Sequence, residues 1–250
     1  MAVRTAISYI AEFIRADLGI ATWIPTDVAS ASTEIRVMRP EIFDPGGGTV
    51  MVGDSVITYT GINGDQLTGV PNTGTGSIAA TLQDVNDAAA SQLYIPQIIT
   101  SSELEDLIDD TRYWVDAELL TQDVERRRYY ARAGWFGLSS ESEVELRDDR
   151  DASFSTVTPD DVNERRGEFL FDSSRTESGL FVAGFRYNPF YAAAEIISMI
   201  YADDRRFTYY QMGQVAVSKR DLVGIAQNYR WRGHKLSQYV SRETERNIIR

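Results

Sequence analysis

The sequence of 250 residues has no cysteine, one histidine and only two lysines. The lack of cysteine excludes disulfides, thiol nucleophiles and cysteine-ligated zinc sites. The single histidine, His234, excludes any site built from two or three imidazoles and leaves one candidate base for a catalytic triad. Its neighbours, in the run Arg-Trp-Arg-Gly-His-Lys, favour a solvated position on a helix instead.

Long apolar runs are also missing. No stretch approaches the roughly 18 consecutive apolar residues that cross a bilayer. Arg4, Glu12, Arg15 and Asp17 interrupt the first 18 residues. We therefore predict neither a membrane span nor a signal peptide.

The charge of the chain is unevenly distributed. The net charge is -12, and all of it falls in residues 1–120, where five arginines meet seventeen acidic residues. Residues 121–250 carry equal numbers of acidic and basic side chains. The N-terminal half is therefore expected to present an acidic surface, and the C-terminal half a mixed one.

Arginine makes up 23 of the 25 basic residues, and only Lys219 and Lys235 are lysines. This composition is typical of proteins from halophiles. Molar salt shortens the Debye length to about 3 Å, so a dense carboxylate surface repels itself little. Arginine also forms bidentate pairs where lysine stays a point charge. An ordinary acidic protein with an arginine-rich codon bias is the alternative.

Helical spacing of apolar residues predicts a first helix from Val3 to Leu18. The pattern then changes to strands over residues 34–70. Two turns, Gly53-Asp54 and Asn63-Gly64, separate short runs rich in β-forming residues. We predict a small antiparallel β module there, followed by a surface connection over residues 71–92.

The C-terminal half is predicted to be mostly helical. A capping box at Ser102–Glu105 begins a long amphipathic helix that runs to Ala133, and an apolar helix begins at Asn188-Pro189. A hairpin is predicted over residues 207–217. The motif Ser218-Lys-Arg-Asp221 begins the last helix. Residues 139–166 are charged and turn-rich with at most a short helix, and 169–185 form either a strand pair or a loop-strand excursion.

The motifs that suggest chemistry are weak. Gly46 to Gly48 lack the Gly-Lys-Ser/Thr of a phosphate loop and precede a strand, so a flexible linker is favoured. Acidic residues suited to Ca²⁺ or Mg²⁺ do not match an EF-hand loop; they are Asp148, Asp149, Asp151, Asp160 and Asp161. No pair of carboxylates stands out as a hydrolase site. We predict no catalytic residue, cofactor site or metal site.

Two segments interleave basic and aromatic residues, as nucleic-acid surfaces do. One is Arg126 to Tyr130, and the other is the tail, where residues 228–250 carry a net charge of about +4. High salt weakens phosphate contacts, and the chain as a whole repels DNA. An acidic protein face is the favoured partner for the tail, with an ordinary solvated helix as the alternative.

Residues Thr49 to Val70 resemble a β element found in many virion proteins of tailed phages. A second match covers Ala192 to Ile197, Asp203 to Leu222 and Ala226 to Arg230. It resembles the helix, hairpin and helix near the C-terminus of phage head-tail adaptor (connector) proteins. Taken with the halophile-like composition, the resemblance implies a haloarchaeal tailed virus as the source. This chain is longer than typical adaptors.

The resemblance implies an α+β fold: a helical bundle of adaptor type with a long C-terminal helix, plus an inserted antiparallel β module. The expected domains are residues 1–33 (N-terminal helix and linker), 34–98 (β module and connection) and 99–250 (adaptor domain). Residues 221–250 would form the portal-docking helix and tail. The expected portal-binding residues are Tyr229, Arg230, Trp231, Arg232, Lys235, Tyr239, Arg242, Arg246 and Arg250.

The function implied is structural and non-enzymatic. The chain would form a ring, expected to have twelve copies, between the portal and the next neck or tail-completion protein, with fibres as a further possible partner. DNA would pass the lumen without specific binding, no membrane would take part, and the ring would assemble in the host cytoplasm and reside in the virion neck. The alternatives are another tail, baseplate or fibre-attachment subunit, a cation-dependent hydrolase, and a free DNA-binding regulator.

Overall fold

The computed structural model describes residues 6–87, 91–132, 134, 144–147, 156–163, 166–175, 179–213 and 217–247. By residue contacts the chain divides into two compact units. The first unit contains residues 11–105 and 193–227. The second contains residues 2–10, 106–192 and 228–250.

Within the described residues there are five α-helices, one short 3-10 helix at Pro40–Ile42 and fifteen β-strands. The helices are α1 (Ala6–Asp17), α2 (Ser101–Asp109), α3 (Pro189–Ala202), α4 (Asp204–Gly213) and α5 (Lys219–Asn247). The strands are β1 (Ala21–Trp23), β2 (Glu34–Arg36), β3 (Gly48–Val52), β4 (Ser55–Tyr59), β5 (Gly61–Asn63), β6 (Gln66–Thr68), β7 (Gln92–Tyr94), β8 (Tyr113–Leu119), β9 (Thr121–Gln122), β10 (Arg128–Tyr130), β11 (Val144–Arg147), β12 (Thr156–Val157), β13 (Asp161–Asn163), β14 (Glu168–Leu170) and β15 (Phe181–Arg186).

The first unit contains two antiparallel sheets, with strand orders β1-β7-β3-β4 and β2-β6-β5. The turn at Gly53-Asp54 joins β3 to β4, and Gly64 lies in the turn from β5 to β6. Both glycines have positive φ, at 55° and 61°, which a residue without Cβ adopts without strain. The two hairpins predicted from these turns are confirmed.

The sheets and helices of the first unit bury apolar side chains. The helix α3, which was predicted from its apolar run, contributes Ile196, Ile197 and Ile200, all with no exposed surface. The sheets contribute Val50, Ile57, Leu67 and Leu93.

The second unit also contains two antiparallel sheets, with strand orders β13-β14-β10-β9 and β12-β11-β15-β8. Their inward side chains form one hydrophobic cluster, which includes Val115, Leu120, Tyr129, Leu146, Val157, Phe169, Phe171, Leu180 and Val182. Tyr129 and Phe171 meet edge to face there, with ring centroids 5.6 Å apart.

The expected helical bundle of adaptor type is wrong, because the described residues are organised by four antiparallel sheets. The long helix predicted from Ser102 to Ala133 ends at Asp109 instead. Thr111 donates its backbone N–H and its hydroxyl to the carbonyl of Ile108, and the chain then turns into β8. The capping box lies two residues earlier than predicted, because Thr100 and Glu103 exchange the reciprocal bonds.

The hairpin predicted over residues 207–217 is also wrong, since α4 occupies Asp204–Gly213. Asp203 begins this helix: its carboxylate accepts hydrogen bonds from the backbone N–H groups of Arg205 and Arg206, at 2.8 and 3.4 Å. Arg206 then holds α4 in the first unit through Glu103 (2.7 Å) and the carbonyl of Ile98 (2.8 Å). Its guanidinium lowers the pKa of Glu103.

Residues 139–166 were predicted to be turn-rich with at most a short helix. The part of this segment that the structure describes contains the strands β11, β12 and β13 instead. For residues 169–185 a strand pair or a loop-strand excursion was predicted, and strands occupy residues 169–170 in β14 and 181–185 in β15. These two strands do not pair with each other: β14 lies between β10 and β13, and β15 between β8 and β11.

Candidate docking surface on the C-terminal helix

The helix α5 begins where the sequence predicted. The backbone N–H and the hydroxyl of Ser218 donate to the Asp221 carboxylate, at 2.8 and 2.6 Å, and the Asp221 N–H returns a bond to the Ser218 hydroxyl at 3.4 Å. These bonds, above all that from the Ser218 hydroxyl, lower the pKa of Asp221. An ionised carboxylate in the first turn also stabilises the helix dipole.

One buried side chain anchors α5 within the second unit. Asn188, 1% exposed, donates hydrogen bonds to the carbonyl of Gly233 (2.9 Å) and to the hydroxyl of Ser237 (3.1 Å). Its own backbone N–H donates to the Thr111 hydroxyl at 3.1 Å. Asn188 therefore fixes the position of the helix around residue 233.

Gly233 allows the close approach that these bonds require. A Cβ at this position would lie 2.6 Å from Cδ1 of Tyr191 and 3.1 Å from Oδ1 of Asn188. Real Cβ atoms do not approach neighbours that closely, so only glycine fits without a shift of the helix. The face of α5 that carries Gly233 is thus the packed face.

The predicted portal-binding residues separate into two groups in the structure. Tyr229 is buried, and Arg232 is half-buried with its guanidinium stacked 4.2 Å from the ring centroid of Phe190 and 5.2 Å from that of Tyr229. Both side chains contribute to packing in the second unit. They stabilise α5 and present little surface to a partner.

Arg230, Trp231 and Lys235 are exposed, and we call these three residues the Trp231 patch. Trp231 is 57% exposed, and the Lys235 ammonium lies 4.1 Å from the centroid of its ring. The cation and the aromatic face stabilise each other at this distance. His234 is exposed on the same helix, as predicted for a solvated histidine.

The remaining predicted residues follow along the chain. The helix α5 also contains Tyr239, Arg242 and Arg246, whose side chains are not among those that the structure describes. Arg250 lies outside the described residues. The prediction for these four positions stays a prediction.

An exposed tryptophan with a cation stacked on its ring is suited to binding a protein. Tryptophan and arginine are the side chains that most often dominate interface energies, because each buries a large area and offers donors. The two positive charges of the patch favour an acidic partner face.

The other segments that suggested chemistry take structural roles. Tyr129, in the basic and aromatic run from Arg126, is completely buried, so it cannot stack on a nucleic-acid base. Asp160 accepts a hydrogen bond from the backbone N–H of Asp172 (2.7 Å), and Asp161 from that of Val162 (2.9 Å). Asp148, Asp149 and Asp151 lie outside the described residues.

In the part of the chain that is described, no three histidine or acidic side chains gather as a metal site would require. Across the same residues, no helix combines the length and the apolar character needed to cross a bilayer. Comparison of the sequence and the structure with protein-family models, curated proteins and solved structures gives no significant match.

The roles of Asn188 and Gly233 as anchors of α5 were not predicted from the sequence. Asn188 was seen only as part of a helix start before Pro189, and Gly233 only as a neighbour of His234. A glycine inside an amphipathic helix is a recognisable signal of close packing. The partner of that packing could not be identified without the fold.

Proposed function

We propose that this chain is a non-enzymatic structural subunit of a tailed virus, a head-tail adaptor that docks on the portal through α5. The observation that carries the proposal is the Trp231 patch: a large exposed aromatic side chain between Arg230 and Lys235, on a 29-residue helix held in place by Asn188. A helix with one anchored face and one aromatic, basic face is suited to binding in a groove of another protein.

The charge distribution supports a protein partner over nucleic acid. The chain carries -12 overall, yet its last 23 residues carry about +4, so the tail attracts an acidic face while the rest of the chain repels DNA. An acidic N-terminal half is also compatible with a ring whose lumen DNA passes without binding. The proposed ring has twelve copies and reaches the next neck or tail-completion protein, and fibres are a further candidate partner.

The resemblance to adaptor proteins supports the proposal in part. Two of its three elements, the helices α3 and α5, have the helical structure that the resemblance implies. The hairpin between them is replaced by α4, and the rest of the chain is built on sheets. The proposal therefore depends on the docking helix.

Replacing Trp231 with alanine is expected to weaken binding to the portal protein of the same virus by about tenfold or more. Trp231 lies on the surface, so its loss removes contact area with the partner and leaves the packed face of α5 unchanged. Biolayer interferometry with full-length protein measures the change. The matched control is Val223→Ala, which removes an exposed apolar side chain (44% exposed) elsewhere on α5. Equal affinities for both variants would count against the patch.

The acidic surface predicts stabilisation by salt. We expect the midpoint of thermal unfolding to rise by about 5 °C or more between roughly 0.1 M and 2 M KCl, because screening relieves repulsion among the carboxylates. Differential scanning calorimetry at constant pH measures the midpoint. A midpoint that stays constant across this range would favour codon bias as the origin of the composition.

A further inference from the structure

The first unit contains a pocket of about 260 Å³ that α5 does not line. Its wall is formed by the chain from Ile42 to Asp44, by Gly47 to Thr49, by Tyr59 at the end of β4, by Ile95 and Gln97, and by Tyr209 on α4. Small-molecule sites usually measure about 300–1,000 Å³. This pocket is therefore sized for one side chain or one small molecule.

Two glycines lie close to Tyr59 at one side of the pocket. A Cβ on Gly48 would lie 3.3 Å from the Tyr59 hydroxyl and 3.5 Å from its ring. Gly47 has φ of 97°, and a Cβ there would lie 2.8 Å from the backbone of Tyr59 and Thr60. Side chains at these positions would crowd the Tyr59 side of the pocket. The flexible linker predicted for this segment gave no indication of these close contacts, and Gly48 belongs to β3.

The wall carries a negative charge and one acceptor that no donor of the described residues reaches. Asp44 is the acidic residue among the ten that line the pocket, and none of the ten is basic. The side-chain carbonyl Oε1 of Gln97 is buried and accepts no hydrogen bond from the described residues. The Tyr59 hydroxyl already donates its proton to the carbonyl of Asp44, at 3.0 Å. Burial and the charge of Asp44 raise the pKa of Tyr59 to about 12, so the phenol stays neutral at physiological pH.

Aromatic rings complete the wall. Phe43 and Tyr59 pack edge to face with ring centroids 6.2 Å apart, and Tyr209 contributes a third ring. Aromatic faces carry negative potential and attract cations. A carboxylate, a carbonyl without a donor and three aromatic rings all favour the same kind of ligand.

We propose that this pocket binds a single cationic donor group, a guanidinium or an ammonium. Such a group supplies the positive charge that the wall lacks and a hydrogen-bond donor for Oε1 of Gln97, and it fits the volume. The group comes either from an arginine side chain of a second copy of this chain or from a small amine. This inference is independent of the proposed function, since none of its residues belongs to the Trp231 patch.

The test is a titration of the full-length protein with methylguanidinium, followed by NMR at the amide resonances of Gly47 and Gly48. We expect saturable shifts with methylguanidinium and none with urea, a neutral planar molecule of similar size. Asp44→Asn should weaken binding at least tenfold, while its oxygen can still accept the Gly46 N–H (2.8 Å). The control is Asp54→Asn, the same change in the exposed turn after β3, which should leave the affinity unchanged.

A second variant keeps the test sharp. Gly48→Val places a larger side chain against Tyr59. Because Gly48 belongs to the strand β3, valine suits its backbone, so the variant should abolish the shifts while the remaining spectrum keeps the native dispersion. Shifts of equal size with urea, equal affinity of Asp44→Asn and wild type, or no saturable shift in the wild type would each overturn the proposal.

Sedimentation equilibrium identifies the source of the group. If a second copy supplies it, the wild type self-associates, and both Asp44→Asn and added methylguanidinium dissociate it. If a small amine supplies it, the mass stays constant while the NMR shifts persist. Both results support a cation pocket, and they differ in what occupies it.

Discussion

Replacing Glu118 with alanine is expected to lower the free energy of unfolding by about 3–5 kcal/mol. One oxygen of its carboxylate accepts a hydrogen bond from the guanidinium of Arg186 at 3.0 Å, which also makes an ion pair. The Arg186 side chain has no exposed surface. The second carboxylate oxygen accepts the backbone N–H of Arg132 at 2.8 Å. The variant leaves a positive charge and an N–H group in the interior of the second unit without this acceptor. Urea denaturation followed by circular dichroism measures the loss.

An exposed ion pair provides the matched control. Arg36 and Asp65 are also in hydrogen-bond contact, but both side chains are about half exposed. Arg36→Ala should change the free energy of unfolding by less than about 1 kcal/mol, because water already solvates both charges. The double variant Glu118→Leu with Arg186→Met should lose less than Glu118→Ala, since no charge stays buried. A loss below about 1 kcal/mol for Glu118→Ala would contradict the buried pair.

Exchanging Gly233 for alanine is expected to destabilise the second unit by about 1–3 kcal/mol, although alanine is the better helix former. The added methyl group would lie 2.6 Å from the Tyr191 ring, so α5 must move away and lengthen its bonds to Asn188. The same variant should weaken portal binding, because residue 233 lies between Trp231 and Lys235 of the Trp231 patch. Calorimetry and the portal-binding assay measure the two effects.

Gly224, on the same helix, distinguishes packing from helix propensity. It is exposed, and a Cβ there would meet no atom within 4 Å. Gly224→Ala should therefore stabilise the protein by about 0.5–1 kcal/mol. Opposite signs for the two substitutions are the expected result. Stabilisation by both would mean that α5 is not packed closely at residue 233.

The sequence predicted the elements that local chemistry determines. The turns at Gly53 and Gly64 fix their hairpins, because a positive φ within a short connection leaves few other conformations. The start of α5 follows from the reciprocal bonds of Ser218 and Asp221, which lie three residues apart. Such features need no knowledge of distant parts of the chain.

The prediction of one helix from Ser102 to Ala133 was wrong because the apolar residues of this segment belong first to a helix and then to a strand, whose side-chain periods differ. Leu104 and Ile108 are buried on α2, whereas Val115 is buried on β8. The run Tyr-Trp-Val from residue 113 favours a strand, and its partner β15 lies over sixty residues further along the chain. Pairing at that distance cannot be inferred from the spacing of one segment.

The exposure of the predicted portal-binding residues could be inferred from the sequence only in part, for the same reason. The residues of the Trp231 patch stand out in the sequence as basic and aromatic, and they are exposed. Tyr229 and Arg232 looked equivalent, yet they pack within the second unit, where Phe190 lies under the Arg232 guanidinium. Arg186 gave no signal at all, since its acidic partner Glu118 is 68 residues away.

Quantitative mass spectrometry of purified virus particles tests the central proposal most directly. It compares the copy number of this chain with that of the portal protein in the same particles. The adaptor proposal predicts equal copy numbers, because the two rings dock subunit to subunit. A different ratio, or absence of the chain from the particles, would contradict it.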